Sequence, residues 1–375
     1  MLNADVEVDR RDFAVRAALR VADGERVALF GPSGSGKTTV LETIAGLVEP
    51  RRGFVELGGR VLTALGREGS PAVAVPPWQR RVGLLRQDPG LFPHLSVSAN
   101  LTYGRRGGAA RGVNPGELDE LARELGIEGL LQAMPARLSG GQRHRVALGR
   151  LLLAHCDALL LDEPFAALDA ALRRALTALV RDLAAVRQVP TILVTHQLAD
   201  AQAFADLLAV MDRGEFLQVG APDEVVLRPA TRRVAELVGY LGFVPVDPES
   251  ISTDAIAGTS AGGTETVAAG AAGDGPAGEG PAGEGLVAGV HPDRVAPGAD
   301  PARGLIVTGT VLAARPSGAG WEVDLRAGDA AFTCRLPDRP AAAELPVTVV
   351  DPPVFAPDGA LLPMRALPGH SRALS

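Results

Sequence analysis

The chain has 375 residues, 46% of them apolar, with a formal net charge of −7 and a pI near 5.5. That length predicts two domains, or three, with ample apolar mass for a core, and the acidic balance argues against a nucleic-acid-binding surface. Two cysteines, Cys156 and Cys334, are too few for a disulfide framework and fit a reducing compartment, and no run reaches the ~18 consecutive apolar residues of a membrane span.

The first residues, with Asp5, Glu7 and Asp9, are unlike a signal peptide, so a soluble chain is expected, with any membrane role exercised through a partner. Val6 and Val8 alternate with acids, and Phe13, Val15 and Ala17 alternate with polar or small residues, which predicts strands over residues 6–21 with Phe13 in the core. Asp23-Gly24 turns into an apolar run, Val27 to Phe30. Then come Gly31-Pro32-Ser33-Gly34-Ser35-Gly36-Lys37-Thr38-Thr39 and a helix-like run, Val40 to Ala45. Strand, glycine-rich loop and helix in that order are the context of a phosphate-binding loop. Glycines let the backbone curl until several N–H groups face one centre, and the helix adds its positive N-terminal end. Lys37 is placed to reach the β- and γ-phosphates, and the Thr38 hydroxyl to take a position on Mg²⁺. Lys37 is also the only lysine in the chain. A compact ammonium suits that cradle where a planar guanidinium fork does not.

Residues 53–62 read as a hairpin turning on Gly58-Gly59, residues 63–77 as a loop with Pro71, Pro76 and Pro77, and Val82 to Leu85 as a strand ending at Arg86-Gln87. From Asp88 the pattern turns helical. Glu117 to Leu125 is amphipathic, Gly140 to Leu153 runs as one helix, and the Gly/Arg-rich stretch Arg105 to Asn114 between them reads as a mobile loop. Ala158 to Leu161 is uniformly apolar, as a buried parallel strand should be. Helix over Leu168 to Val186, strand over Thr191 to Thr195, helix over Leu198 to Ala205 and a hairpin over Leu207 to Val219 complete an α/β domain. Residues 256–285 are nearly all Gly, Ala, Thr, Pro and acids, which predicts a disordered linker. Beyond it, Leu286 to Val290, Leu305 to Ala313, Trp321 to Leu325 and Ala331 to Leu336 alternate as short strands of a small β-barrel or half-barrel.

Two further motifs narrow the chemistry. Leu138-Ser139-Gly140-Gly141-Gln142 opens a helix with free N–H groups and a hydroxyl at its tip, a second anion site built like the first. Leu159-Leu160-Leu161-Asp162-Glu163-Pro164 is an apolar strand delivering two carboxylates side by side. The first suits Mg²⁺ and the second suits a base that polarises attacking water. With these in place the chain resembles the nucleotide-binding subunits of ABC transporters over residues 1 to about 240.

The resemblance implies a P-loop ABC-type nucleotide-binding domain over 1–240, α/β in class, with a parallel core sheet, an antiparallel β subdomain and a helical subdomain over 88–155. A Gly/Ala-rich linker over 241–285 and a small β-barrel-like domain over 286–375 follow, the latter similar to transport-associated OB domains through Gly289-Val290-His291-Pro292-Asp293. It implies ATP and Mg²⁺ as ligands, with Gly31 to Thr39, Ser139, Gly140, Gly141, Gln142 and Asp169 holding nucleotide. Thr38, Gln87 and Asp162 would hold the metal, and Glu163, His196 and Gln87 would carry catalysis. Ala166-Ala167-Leu168-Asp169 corresponds to the D-loop. It also implies a head-to-tail homodimer at the cytoplasmic face of the membrane, a separate permease and, indirectly, an extracytoplasmic binding protein. The segment after Gln87, through His94, would face the permease. Arg81 to Leu95 looks most like molybdate-type import subunits, with sulfate, ferric-iron and sugar types close behind and a non-transport ABC ATPase as the less favoured reading. Two departures stand out. No aromatic residue occupies the family's adenine-stacking position near Val8 or Asp9, and Arg86 replaces an apolar residue before Gln87.

Overall fold

The computed structural model describes residues 1–65, 73–105, 115–166, 168–246, 286–298, 304–318, 320–350, 352–356 and 358–362. The expected linker 256–285, most of the Gly/Arg-rich loop and Ala167 lie outside the described residues. The chain divides into two units, Met1–Val225 and Val226–Ser375.

In chain order the first unit runs β1 (Leu2–Asp9), β2 (Ala14–Val21), β3 (Arg26–Phe30), α1 (Lys37–Ala45), β4 (Arg52–Leu57), β5 (Arg60–Leu65), β6 (Val73–Ala74) and β7 (Val82–Leu85). It continues with α2 (Val97–Thr102), α3 (Pro115–Glu124), α4 (Gly140–Leu153), β8 (Ala158–Asp162), α5 (Ala170–Arg187), β9 (Thr191–Thr195), α6 (Leu198–Phe204), β10 (Leu207–Asp212) and β11 (Glu215–Gly220). A six-stranded sheet has the order β11-β10-β3-β9-β8-β7, parallel except for the edge hairpin β10–β11. A second sheet, β2-β1-β4-β5-β6, is antiparallel throughout.

The core strands are apolar on both faces because both are covered. Along β8, Ala158 and Leu160 join the cluster that includes α1 and the antiparallel sheet. Leu159 and Leu161 point the other way, into the cluster with α4 and α5. Ile192 and Val194 of β9 side with the first group, and Leu193 with the second. The period of two seen in the sequence thus feeds two cores rather than one.

In the second unit, α8 (Arg232–Leu237) follows α7 (Pro222–Leu227), which spans the division, and then come β12 (Gly242–Val246) and β13 (Leu286–Val290). β14 (Val295–Pro297), β15 (Gly304–Ser317), β16 (Gly320–Ala327), β17 (Ala330–Leu336), β18 (Glu344–Val350), β19 (Val354–Phe355) and β20 (Leu361–Leu362) complete it. They form a sheet β12-β13-β19-β20 and a sheet β14-β18-β15-β16-β17 around a core that includes Val290, Val307, Phe332 and Val347. β12 falls inside the expected linker over 241–285. It is a strand because Val244 is buried against the core of this unit and the backbone pairs antiparallel with β13.

Candidate active site

Strand register brings the site together. Phe30 of β3 is level with Thr195 of β9, and Val194 of β9 with Asp162 of β8. The residues just beyond these ends, Gly31, Glu163 and His196, therefore emerge along one edge of the sheet, at the C-terminal ends of parallel strands. Gly31 begins the loop where the backbone passes so close to Met211 that a Cβ would lie 2.0 Å from its carbonyl oxygen. Gly36 caps α1 at φ 108°, a conformation side chains rarely adopt, and a Cβ there would lie 2.8 Å from Val15 Cγ2. The Gly214 N–H donates to the Ser35 carbonyl (2.9 Å), and the Arg16 N–H to the Gly214 carbonyl (2.7 Å), so the β10–β11 turn braces the loop from outside.

Lys37, 6% exposed, donates from Nζ to the Gly31 and Pro32 carbonyls (2.9 and 2.7 Å) and to Ser35 Oγ (3.3 Å). Burial lowers its amine from the ordinary value, and the charges of Glu163 and Asp162 pull it back up. The loop thus folds around its own lysine, which phosphate oxygens can take over. Thr38 Oγ1 donates to Asp162 Oδ2 (3.0 Å). Burial raises the Asp162 carboxyl. The Thr38 hydrogen bond and Lys37 oppose the rise, while the charges of Glu163 and Glu42 add to it. Two hard oxygen donors 3.0 Å apart suit Mg²⁺, which takes few protein ligands and leaves its other positions to water and phosphate.

Glu163 stands at φ 50°, its N–H bonded to the Val194 carbonyl (3.0 Å). This turns its carboxylate off the strand direction toward His196, whose Nδ1 lies 3.0 Å from Glu163 Oε1. An ionised carboxylate only accepts, so against the ionised form of Glu163 the donor in this contact is His196 Nδ1–H.

The remaining expected residues cap helices or lie at a strand end. Ser139 and Gln142 form a reciprocal capping box on α4, Gln142 N to Ser139 Oγ (3.2 Å) and Ser139 N to Gln142 Oε1 (2.8 Å). Among the described residues, no hydrogen bond joins Ser139–Gln142 to Gly31–Thr39. Asp169 caps α5 by accepting from Ala171 and Leu172, and the Leu172 N–H foremost holds its carboxyl below the usual range. Gln87 is exposed at the end of β7, and His94 is exposed with its ring edge-on to Phe92.

Two partners of the site carry no sequence motif. Arg10, at the β1–β2 turn, donates from Nε to Thr39 Oγ1 (2.9 Å). Phe13, partly buried, packs against the core, with its ring over the Gly214 turn.

The family model described as ABC transporter matches residues 15–166. The chain is 42% identical over 235 residues to the Fe(3+) ions import ATP-binding protein FbpC of Mesorhizobium japonicum, covering 62% of each. It is 41% identical to the trehalose/maltose import ATP-binding protein MalK of Thermococcus litoralis, covering 61% of this chain and 60% of that one. To the molybdenum import ATP-binding protein ModC of Mesorhizobium japonicum the identity is 39%, covering 65% and 64%. The chain therefore spans somewhat under two thirds of the length of the curated relatives it matches. Among solved structures, an ATP-binding subunit of an ABC transporter superposes with a TM-score of 0.51 at 27% identity, covering 64% of this chain and 95% of that one. A dimeric post-hydrolysis state of the ATP-binding cassette MJ0796 with ADP and Pi gives 0.50 at 24%, covering 59% and 99%, a likeness of fold. The fold is the ABC ATPase cassette, and no helix among the described residues is long and apolar enough to cross a membrane.

Proposed function

We propose that this chain, an ABC ATP-binding cassette by fold, hydrolyses ATP to power import through a separate membrane permease, working at the cytoplasmic face as a homodimer. The observation that carries the reading is the Glu163–His196 contact at 3.0 Å beside the Thr38–Asp162 pair. Lys37 and the loop N–H groups hold the β- and γ-phosphates. Thr38 and Asp162, with Gln87 adjoining, hold Mg²⁺, which when bound neutralises charge developing on the phosphates. Glu163 takes the proton of the attacking water, and His196 holds that carboxylate in place. Ser139 to Gln142 and Asp169 act across the dimer, where a second helix N-terminus facing the γ-phosphate becomes favourable only while that charge is present. Losing the γ-phosphate releases it, so ATP opens and closes the dimer. The chain's relatives are importers by name, and the likeness in fold extends to a dimeric cassette.

Glu163→Gln tests the chemistry. Turnover should fall by about 10²–10⁴ while ATP binding persists and ATP-bound dimer accumulates on gel filtration. Hydrolysis at the parent rate would show that Glu163 is not the base.

For the cargo we propose a molybdate-type oxyanion, from the Arg81–Leu95 segment. Ferric iron is the second reading, supported by identities of 42% and 44% to two FbpC relatives. Reconstituted with its permease, the ATPase should respond to a binding protein loaded with molybdate, and Gln87→Ala should blunt that response more than it lowers ATP binding. A response to the ferric-loaded protein alone would select the second reading.

A further inference from the structure

Arg86 is a charged side chain where β7 leaves the core sheet, directly before Gln87. Its Nη2 lies 3.2 Å from Glu42 Oε1. Glu42 is on α1 four residues after Thr38, so the two side chains share one face of that helix, a turn apart. The parallel register pairs Leu85 with Leu161, which brings Arg86 and Gln87 out beside Asp162 and Glu163. The Glu42 carboxylate is only 16% exposed, and its charge acts on Asp162. The far end of the same segment is held by α4, where Arg150 donates to the Gly90 and Pro89 carbonyls (3.0 and 3.1 Å). Residues 86–90 are thus strung between the helix that opens with Lys37 and Thr38 and the helix that opens after Ser139.

We propose that the Arg86–Glu42 ion pair is a positioning clasp, which ties the root of the Gln87 segment to α1 and masks the Glu42 charge beside Asp162. It rests on the nucleotide-hydrolysing reading of the site and deepens it. Arg86 acts through Gln87, as a positioning residue. It sets where Gln87 stands, and a pull on the 86–90 segment from outside reaches the phosphate loop through Glu42. A pair whose arginine is solvent-exposed contributes little to overall stability, so its worth lies in where it points. Reversing one charge is a far larger perturbation, because Arg86→Glu sets two carboxylates against each other beside Asp162 and Glu42→Arg sets two guanidiniums against each other.

The test uses the full chain with Arg86→Glu, with Glu42→Arg and with both together. Either reversal should speed hydrogen exchange of the 86–90 amides about tenfold and lower kcat about three- to tenfold, with KM for ATP within about twofold. The exchanged pair should bring both readouts back to within about twofold of the parent, since the attraction is restored with its polarity inverted. Parent-like exchange and kcat in Arg86→Glu would overturn the clasp, and so would an exchanged pair no better than the worse single variant. Should a reversal fail to fold, Arg86→Gln, Glu42→Gln and their combination form the same cycle at smaller amplitude. A parent that does not hydrolyse ATP would refute the proposed function, and the exchange measurement would still decide the clasp.

Discussion

Arg80 offers a sharp test of how α1 is held. Its guanidinium, 5% exposed, donates to Val75 O (2.7 Å), Ile44 O (2.9 Å), Thr43 O (3.3 Å) and Thr63 Oγ1 (2.9 Å). Among the described residues no carboxylate pairs with it, and burial lowers its pKa. Carbonyls at the negative end of α1 take the place of a counter-ion. Arg80→Met keeps the bulk and removes the donors. Thr43 O keeps the Gly46 N–H (3.0 Å), which leaves the Ile44 and Val75 carbonyls as the orphans. At about 1–3 kcal/mol each, less about 1 kcal/mol for the added apolar contact, the net cost is about 3 kcal/mol. For a unit of this size that is a fall in Tm of about 6–12 °C. Arg80→Lys should fall about half as far, because one ammonium cannot span Val75, Ile44 and Thr63 together. Thermal melts followed by circular dichroism decide it. The relevant transition is the one ATP shifts upward, since ligand binding stabilises only the unit that holds it. A Tm for Arg80→Met within about 2 °C of the parent would refute the orphaned-carbonyl reasoning.

Phe13, partly buried, packs against the core and the Gly214 turn. Phe13→Ala should therefore cost about 2–3 kcal/mol in a melt while ATP Kd stays within about twofold, with GTP competing nearly as well as ATP. A clear rise in Kd at unchanged Tm would make Phe13 the base-stacking group. Gly31→Ala drives a Cβ into the Met211 carbonyl and should weaken ATP binding at least about tenfold, whereas Gly34→Ala, at φ 82° with open space around it, should cost only about 1 kcal/mol. At Glu7, 8% exposed, burial would raise the carboxyl, but Arg52, Arg51 and Arg16 outweigh it and hold it below its ordinary value. A carboxyl depressed in the folded state stabilises above its unfolded pKa near about 4.3 and loses that contribution as pH falls through the folded value. Glu7→Gln should therefore cost about 1 kcal/mol at pH 7, discounted for the exposed arginines, and the gap should close as pH falls through the lowered folded value in a pH series of melts.

What the sequence made legible was local. The strand–loop–helix at Lys37 and the helix Gly140–Leu153 each declare themselves within a dozen residues. The second starts where Ser139 and Gln142 cap one another. Asp162-Glu163 and His196 follow strands with apolar centres, so their placement at strand ends was readable too. The arginine partners were not. Arg86 with Glu42, Arg80 with α1 and Arg10 with Thr39 join residues 29 to 44 positions apart. In a chain whose cations are nearly all arginine, a buried, carbonyl-bound guanidinium looks like a solvated one. β12 escaped for another reason. Its partner β13 lies beyond a long Gly/Ala-rich stretch, and pairing across such a distance leaves no periodic trace. The two-residue β6 and the six-residue α7 and α8 are too short to establish a period at all.

The backbone of Glu163 carries a consequence for how this protein can be improved. An L-residue at φ 50° pays about 1–2 kcal/mol that glycine would not, and asparagine would pay less of it. A laboratory selection for heat resistance should therefore drift toward Glu163→Gly or Glu163→Asn, and, with Glu163 as the proposed base, each gain in melting temperature there would be a loss of turnover. Natural drift meets the same slope in every generation. Any lineage that keeps a glutamate at this corner is one in which selection for turnover has outweighed a standing reward for losing it.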